Sequence, residues 1–215
     1  MDTQSDDEDS HNNIGIYLKR DRLNDEGDFS YSQSYSFTIC AEDQNEEKAI
    51  GELKGHFFDL KSLNINQRLY KSHPIIQVLN QYDEETFDIC QNLCKETNCA
   101  RGRGQNIFHL DRFFIQEKYR GHGTGRTALY QFQTQATYLL EHDVRYIALF
   151  PDPITEDLEF DSLYDMDMEK RADQIKKLKT FYGSLGFKEM KRKPSYMYVD
   201  LHHMKERSQE RVLSQ

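Results

Sequence analysis

Hydrophobic and polar positions change their spacing several times along the chain, and each change predicts a new element. Apolar and aromatic residues alternate with polar ones over 31–41, and a second run of strand-forming residues occupies 49–60. A period of two is typical of β-strands with one buried face. The polar stretch 42–48 joins the two runs, so we predict a long antiparallel hairpin.

The spacing becomes helical over 66–96. Pro74 stands where a helix can begin, because its fixed φ suits the first turn, and a second helix is predicted over 83–95. The apolar residues of this second helix recur at intervals of three and four, which predicts a face turned to the core. They are Phe87, Cys90 and Cys94.

The second half of the chain predicts a strand over 107–116, a helix over 123–141 and a strand over 144–150. A strand, a helix and a strand in this order form a unit with parallel strands. A last helix over 170–185 and closing strands over 187–190 and 196–201 follow. The fold class is therefore α/β (α+β), a mixed central sheet flanked by helices.

Length and composition suit a single domain, with 215 residues of which 37% are hydrophobic. We expect a disordered acidic tail over 1–13, a folded domain over 14–203 and a charged tail over 204–215. The N-terminus is acidic where a targeting peptide is basic or apolar, and no apolar run is long enough to span a bilayer. These features predict a cytoplasmic protein without a membrane partner.

The formal net charge of −9 is unevenly distributed. Two segments, 1–13 and 151–169, are acidic and contain no lysine or arginine, and without them the remainder is mildly basic. Acidic segments argue against a nucleic-acid partner, because such binding depends on neutralising phosphates. Several cations instead lie near the glycines that follow residue 120, namely Arg101, Arg103, Arg112, Lys118, Arg120 and Arg126.

Four cysteines in a chain of this length do not indicate a secreted disulfide framework, so we expect reduced thiols. Cys90 and Cys94 are one helical turn apart, whereas structural zinc sites use pairs two to four residues apart together with a distant second pair. We therefore predict no metal site.

Three alternating glycines follow a predicted strand and open a helix at Gly121, Gly123 and Gly125. Glycine lets the backbone approach an anion closely, and the first N–H groups of a helix lack carbonyl partners. The pattern predicts a phosphate site. A P-loop is excluded because no Gly-Lys-Ser/Thr follows, and the even spacing disfavours a dinucleotide fingerprint.

The stretch Arg120-Gly-His-Gly-Thr-Gly125 resembles motif A of the Gcn5-related N-acetyltransferase (GNAT) superfamily, Arg/Gln-x-x-Gly-x-Gly/Ala. About sixty residues downstream, Phe181-Tyr-Gly-Ser-Leu-Gly-Phe187 resembles the end of the last long helix in that family. The resemblance covers roughly 106–202 and implies a GNAT-like single domain. The predicted helices follow the first hairpin rather than precede it, so we assign 66–100 as a helical insertion and 151–169 as an acidic insertion.

This resemblance implies acetyl-coenzyme A (acetyl-CoA) as co-substrate. Its pyrophosphate would lie on the amides of the glycine turn, residues 120–125, and its pantetheine arm beside the strand that ends at Ile115. An Asn that often binds this arm in the family is replaced by Ile175. The implied cofactor-binding residues are Phe113, Ile115, Arg120, Gly121, His122, Gly123, Thr124, Gly125 and Arg126.

The resemblance also implies catalytic residues. Tyr182 occupies the position of the general acid, and His109 that of the general base, with Asp111 on the same strand face. A neutral imidazole can take the proton of an ammonium group. The alternatives are an aromatic that packs the helix end for Tyr182, and a strand histidine bonded to the backbone for His109.

The predicted function is acetyl transfer to a primary amine, in a small molecule or a protein, by direct attack in a ternary complex. The acidic insertion is interleaved with apolar residues, so it could form a lid for a cationic acceptor or be an ordinary solvated loop. Ile175 favours a second hypothesis, a non-catalytic acyl-CoA sensor or interaction protein. Acetylation of charged tRNA is disfavoured by the acidic segments, and a homodimer is left open.

Overall fold

The computed structural model describes residues 15–21, 32–43, 46–59, 84–97, 106–153 and 167–203. The predicted tails 1–13 and 204–215, the helix near Pro74 and most of the acidic insertion lie outside the described residues. Within the described residues, no helix has both the length and the apolar character needed to cross a bilayer.

Seven strands form one sheet in the order β1-β2-β3-β4-β5-β7-β6. The pair β4–β5 is parallel and every other neighbouring pair is antiparallel. The predicted mixed sheet is confirmed. The strands are β1 (Gly15–Arg20), β2 (Ser32–Asp43), β3 (Glu46–Phe58), β4 (Ile107–Ile115), β5 (Tyr146–Leu149), β6 (Lys188–Glu189) and β7 (Met197–Asp200).

In the described part of the chain the sheet is accompanied by the α-helices α1 (Glu84–Thr97), α2 (Thr124–Leu139) and α3 (Met168–Gly183), and residues 201–203 are also helical. Helix α1 lies in the chain between β3 and β4, and α2 is the crossover between the parallel strands β4 and β5. A short 3-10 turn, Glu117–Tyr119, precedes α2. The predicted helix and strand positions are therefore correct to within a few residues wherever the structure describes them.

The core has two parts, one on each face of the sheet. Helix α2 packs Leu129, Phe132 and Ala136 into the larger part, and α1 packs Ile89 and Leu93 into the smaller part. Residues that alternate along β4 divide between them, with Phe108 in the first part and Ile107 in the second. The predicted core face of α1 is confirmed, since Phe87, Cys90 and Cys94 all belong to the smaller part.

Strand β1 was not predicted. It pairs with β2 from Gly15↔Glu42 to Arg20↔Phe37, at the edge of the sheet. Only Ile16 and Leu18 give it an alternating pattern, and both are only partly buried. Two apolar positions are too few to predict a strand, so β1 depends on the neighbouring edge of β2 for its hydrogen bonds.

Strands β3 and β4 approach each other unusually closely beside an irregularity in their pairing. Lys54 pairs with Arg112 and Gly55 pairs with Leu110, so Asp111 has no register partner. This is a β-bulge, in which two residues of one strand oppose one of the other. A Cβ atom on Gly55 would collide with the His109 carbonyl oxygen, so the close approach requires glycine.

An ion pair joins the two sides of segment 154–166. The Arg171 guanidinium donates from Nη2 to Asp152 Oδ2 at 2.8 Å and from Nε to Oδ1 at 3.1 Å. Asp167 accepts from the Glu169 N–H at 3.2 Å and caps the start of α3. Both flanks of this segment are thus attached to the body of the fold.

Candidate active site

Strands β4 and β5 separate soon after they pair. Their pairing covers Ile107 to His109 on β4, whereas β4 continues to Ile115. Among the described residues, no strand borders β4 on this side from residue 110 onward. An open strand edge offers backbone N–H and C=O groups to an extended ligand. We call this open edge of β4, from His109 to Ile115, the cleft.

The glycine turn lies at the far end of this cleft. Gly121 and Gly123 have φ values of 85° and 81°, which glycine adopts without the penalty other residues incur. The first backbone bond of the helix runs from the Thr127 N–H to the Gly123 carbonyl, at 2.9 Å. Among the described residues, the N–H groups of 121–126 donate to no backbone carbonyl, so six consecutive amides can bind an anion.

The floor of the turn is apolar. A Cβ atom on Gly125 would lie 3.7 Å from Ile115, Phe113 and Phe181, so the first turn of α2 packs directly on β4 and α3. The rings of Phe113 and Phe181 are stacked with centroids 6.4 Å apart. Thr124 and Ile115 are buried, whereas Gly121, His122 and Gly123 are exposed. The predicted cofactor residues thus divide into an apolar floor and an exposed polar rim.

Two predicted arginines border the turn in different ways. Arg120 Nε donates to the Ile115 carbonyl at 2.6 Å, and its guanidinium lies over the Phe114 ring at 5.2 Å. Arg126 is exposed in the first turn of α2. Arg120 therefore braces the end of β4 as well as adding positive charge, whereas Arg126 contributes charge at the rim.

His109 lies on the α1 face of the sheet and is 0% exposed. Its Nδ1 is 2.9 Å from Thr86 Oγ1, on the first turn of α1. Its Nε2 is buried and makes no hydrogen bond, and the nearest carboxylate oxygen, Oε1 of Glu85, is 3.7 Å away. The side chains of Glu85, His109 and Asp111 bring their polar atoms within 4.8 Å of one another. We call these three residues the carboxylate–imidazole cluster.

Tyr182 lies in the larger part of the core, with its ring packed against Phe181 and Phe187 at centroid distances of 5.2 and 5.5 Å. It is 7% exposed, and burial raises the pKa of its phenol well above the usual value. Because His109 faces α1, the two predicted catalytic residues lie on opposite faces of the sheet. A common ligand can reach both only through the opening between β4 and β5.

Two residues of the site were missed from the sequence, Glu85 and Thr86. Both belong to a helix that was predicted, but their contacts with His109 cross more than twenty residues of chain. No local sequence pattern specifies such a contact, since it depends on how α1 packs on β4.

No protein-family model matches the chain, and no curated protein matches it. Three solved structures with a similar outline are "The crystal structure of KacTA-DNA complex", "Crystal structure of AtaTR bound with AcCoA" and "AtaT complexed with acetyl-methionyl-tRNAfMet". Their identities are 10%, 12% and 12%, and their TM-scores are 0.42, 0.37 and 0.39. The matches cover 85%, 80% and 80% of this chain and 76%, 70% and 74% of the other chains. At these identities and TM-scores the three structures carry no argument about the function of this chain.

One expectation from the sequence is corrected by these structures. The acidic segments argued against a nucleic-acid partner, yet two of the three structures contain DNA or tRNA. The mixed sheet with flanking helices agrees with the fold class predicted from the sequence, and the glycine turn between β4 and α2 and the Phe181–Phe187 stretch are the features that resemble the Gcn5-related N-acetyltransferase superfamily.

Proposed function

We propose that the protein is an acetyl-CoA-dependent N-acetyltransferase that acts on a primary amine by direct attack in a ternary complex. The observation that carries the proposal is the continuity of one cleft. It runs along the open edge of β4, from the unpaired amides of the glycine turn to the buried imidazole of His109. His109 and Ile115 are six residue steps apart along the extended strand, a span of roughly 20 Å.

Acetyl-CoA suits this cleft in charge and in shape. Its pyrophosphate would accept hydrogen bonds from the amides of 121–126, with Arg120 and Arg126 adding positive charge to that of the helix N-terminus. Its pantetheine arm carries amide groups, which would pair with the open edge of β4 as a strand does. Phe113 and Ile115 supply an apolar surface under the turn.

The chemistry requires the acceptor nitrogen to lose two protons and the departing thiolate to gain one. His109 Nε2 takes a proton from the acceptor ammonium, and the freed lone pair attacks the thioester carbonyl. The new C–N bond forms and the C–S bond breaks, while backbone N–H groups of β4 stabilise the oxyanion. Tyr182 then donates its proton to the departing thiolate. The attacking nitrogen loses its second proton, which restores the Tyr182 phenol through water, and the proton on His109 passes to solvent, so the products are a neutral amide and a free thiol. Because burial raises the pKa of this phenol, Tyr182 holds its proton at neutral pH until the thiolate forms.

A calorimetric titration with acetyl-CoA tests the cofactor site. We expect micromolar binding that is lost in Gly123→Glu, because the substitution puts a carboxylate among the amides at a position with positive φ. The matched control is Gly15→Glu, which adds the same charge at an exposed position on the edge strand β1. Equal loss in both variants, or no binding by the wild type, would contradict the proposal.

A second candidate function is a non-catalytic acyl-CoA sensor. Ile175, which stands where the family often has an Asn for the pantetheine arm, is half-buried on α3 and offers no side-chain hydrogen bond. Acetyl-CoA binding without acetyl transfer to any of a broad panel of amines, including an aminoacyl-tRNA, would favour this function over catalysis.

A further inference from the structure

The carboxylate–imidazole cluster carries negative charge that the described part of the chain does not neutralise. Neither Glu85 nor Asp111 has a lysine or arginine partner among the described residues. Carboxylates nearby in the fold are paired: Asp88 of α1 binds Lys193, and Glu52 of β3 binds Arg112 of β4. Two carboxylates without a cationic side chain beside one buried imidazole therefore distinguish this end of the cleft from its surroundings.

The imidazole of His109 also has a nitrogen atom without a hydrogen-bond partner at the same place. His109 Nε2 is buried and has no hydrogen-bond partner, although a buried polar atom without one costs about 1–3 kcal/mol. The other ring nitrogen, Nδ1, is hydrogen-bonded to the Thr86 hydroxyl. If Nδ1 carries the proton and donates to Thr86, Nε2 presents a lone pair toward two carboxylates, neither of which can donate to it when ionised.

From this arrangement we infer that the cluster binds the ammonium group of the acceptor, and that Glu85 selects primary amines that are cationic. The inference rests on the proposed function, since it names the acceptor class of that same site. A primary ammonium has three N–H donors, and the cluster has three acceptors, one each from Glu85, Asp111 and His109. A secondary or tertiary ammonium has too few donors to satisfy all three.

The spacing of the three acceptors leaves room for one ammonium nitrogen. The observed separations are 3.7 Å from His109 Nε2 to Glu85 Oε1 and within 4.8 Å throughout. Acceptors this far apart can all lie about 2.9 Å from a single nitrogen, which is the usual length of such a hydrogen bond. The 3.7 Å separation is also near the roughly 3.4 Å between the ligands of a tetrahedral metal, so a bound metal is one of the outcomes that the test distinguishes.

The location also suits the transfer. His109 is the last residue of β4 that pairs with β5, so the cluster lies where the cleft begins to open. Glu85 is 40% exposed and Asp111 is exposed, whereas His109 is fully buried. A cation can therefore approach from solvent through the carboxylates and reach the imidazole last. One of its three protons then passes to Nε2, and the resulting imidazolium is stabilised by both carboxylates.

The test compares two primary amines that differ in charge, with acetyl-CoA saturating. The probes are butylamine, which is cationic at neutral pH, and aniline, which is uncharged. We expect Glu85→Gln to raise the Michaelis constant for butylamine roughly tenfold and to leave that for aniline unchanged. The matched control is Glu84→Gln, on the same helical turn but exposed, which should change neither constant. Equal effects on both amines, or no effect on either, would overturn the inference.

A binding experiment separates failure of this inference from failure of the proposed function. Calorimetric titration of the acetyl-CoA complex with butylamine requires no turnover, so a tenfold weaker affinity in Glu85→Gln supports the ammonium site even if the protein acetylates nothing. Unchanged acetyl-CoA affinity in the variant shows that its cofactor site is intact. Stoichiometric zinc in the purified protein that Glu85→Gln removes would assign the cluster to a metal and overturn the inference.

Discussion

Thr86 and His109 join helix α1 to strand β4 through one buried contact, with Oγ1 2.9 Å from Nδ1. The contact fixes the orientation of the imidazole ring, with Nε2 directed toward Glu85. Helix α1 lies between β3 and β4 in the chain, so the helix that orients the proposed base is separated in sequence from the glycine turn and from α3.

Removing this contact should lower kcat without changing the affinity for acetyl-CoA. In Thr86→Val the buried Nδ1 loses its partner, at a cost of about 1–3 kcal/mol in the free energy of unfolding. We expect kcat to fall roughly tenfold while the calorimetric Kd for acetyl-CoA is unchanged. Thr97→Val is the control, since that hydroxyl bonds the Leu93 carbonyl at the other end of α1. An equal fall in kcat for both variants would remove Thr86 from the site.

A methyl group at Gly55 should disturb the bulge. Its Cβ would collide with the His109 carbonyl oxygen and the Phe108 ring, so Gly55→Ala forces β3 and β4 apart. We expect a loss of about 1–3 kcal/mol, which lowers the melting temperature by several degrees. Gly183→Ala is the comparison, because nothing lies near its Cβ position. Similar melting temperatures for wild type and Gly55→Ala, measured by calorimetry, would contradict the close approach.

Tyr182→Phe should lower kcat roughly 100-fold, because the thiolate loses its proton donor, with little change in the affinity for acetyl-CoA. An unchanged kcat would remove Tyr182 from the mechanism.

The same substitution should alter how stability depends on pH. Burial raises the pKa of Tyr182 above its ordinary value of 10.0. Below pH 10 the phenol is protonated in both states, and above it the unfolded chain ionises while the folded one resists, so stability falls as pH rises. Between pH 8 and about 10.5, the melting temperature of Tyr182→Phe should therefore fall by less than that of the wild type. Tyr130→Phe, at an exposed ring, is the control. Parallel curves for all three proteins would contradict the burial effect.

The two arginines of the turn should differ in their effects. Arg126→Gln removes only an exposed charge, so we expect weaker acetyl-CoA binding that becomes indistinguishable from wild type at high salt. Arg120→Gln also loses the bond to the Ile115 carbonyl, so its defect should persist at high salt and be accompanied by a lower melting temperature. Titrations at low and high salt distinguish the two patterns. Identical salt dependence in both variants would count against a bracing role for Arg120.

Periodicity and motif order were enough to predict most of the fold. The hairpin of β2 and β3 and the helix α2 follow from spacing alone, because each buries one regular face. The glycine turn was predicted because alternating glycines are visible in the sequence, and two of them have a positive φ that glycine adopts readily. Strand β1 could not be predicted, since its hydrogen bonds belong to the edge of β2 rather than to its own pattern.

The site was less accessible to prediction for a physical reason. His109 and Asp111 were predicted from one strand, but the bulge between Leu110 and Arg112 determines where Asp111 lies, and the bulge follows from Gly55 on another strand. Glu85 joins them only through the packing of α1 on β4. Contacts of this kind are set by the assembled fold and are absent from any local pattern.

The ion pair between Asp152 and Arg171 has a consequence for how this protein could diversify. It fastens both flanks of segment 154–166 to the body of the fold. For a flexible connection between two fixed points, each doubling of its length costs only about 0.6 kcal/mol. The segment can therefore behave as a cassette, in which insertions and exchanges accumulate during evolution or engineering while the glycine turn and the cleft keep their geometry.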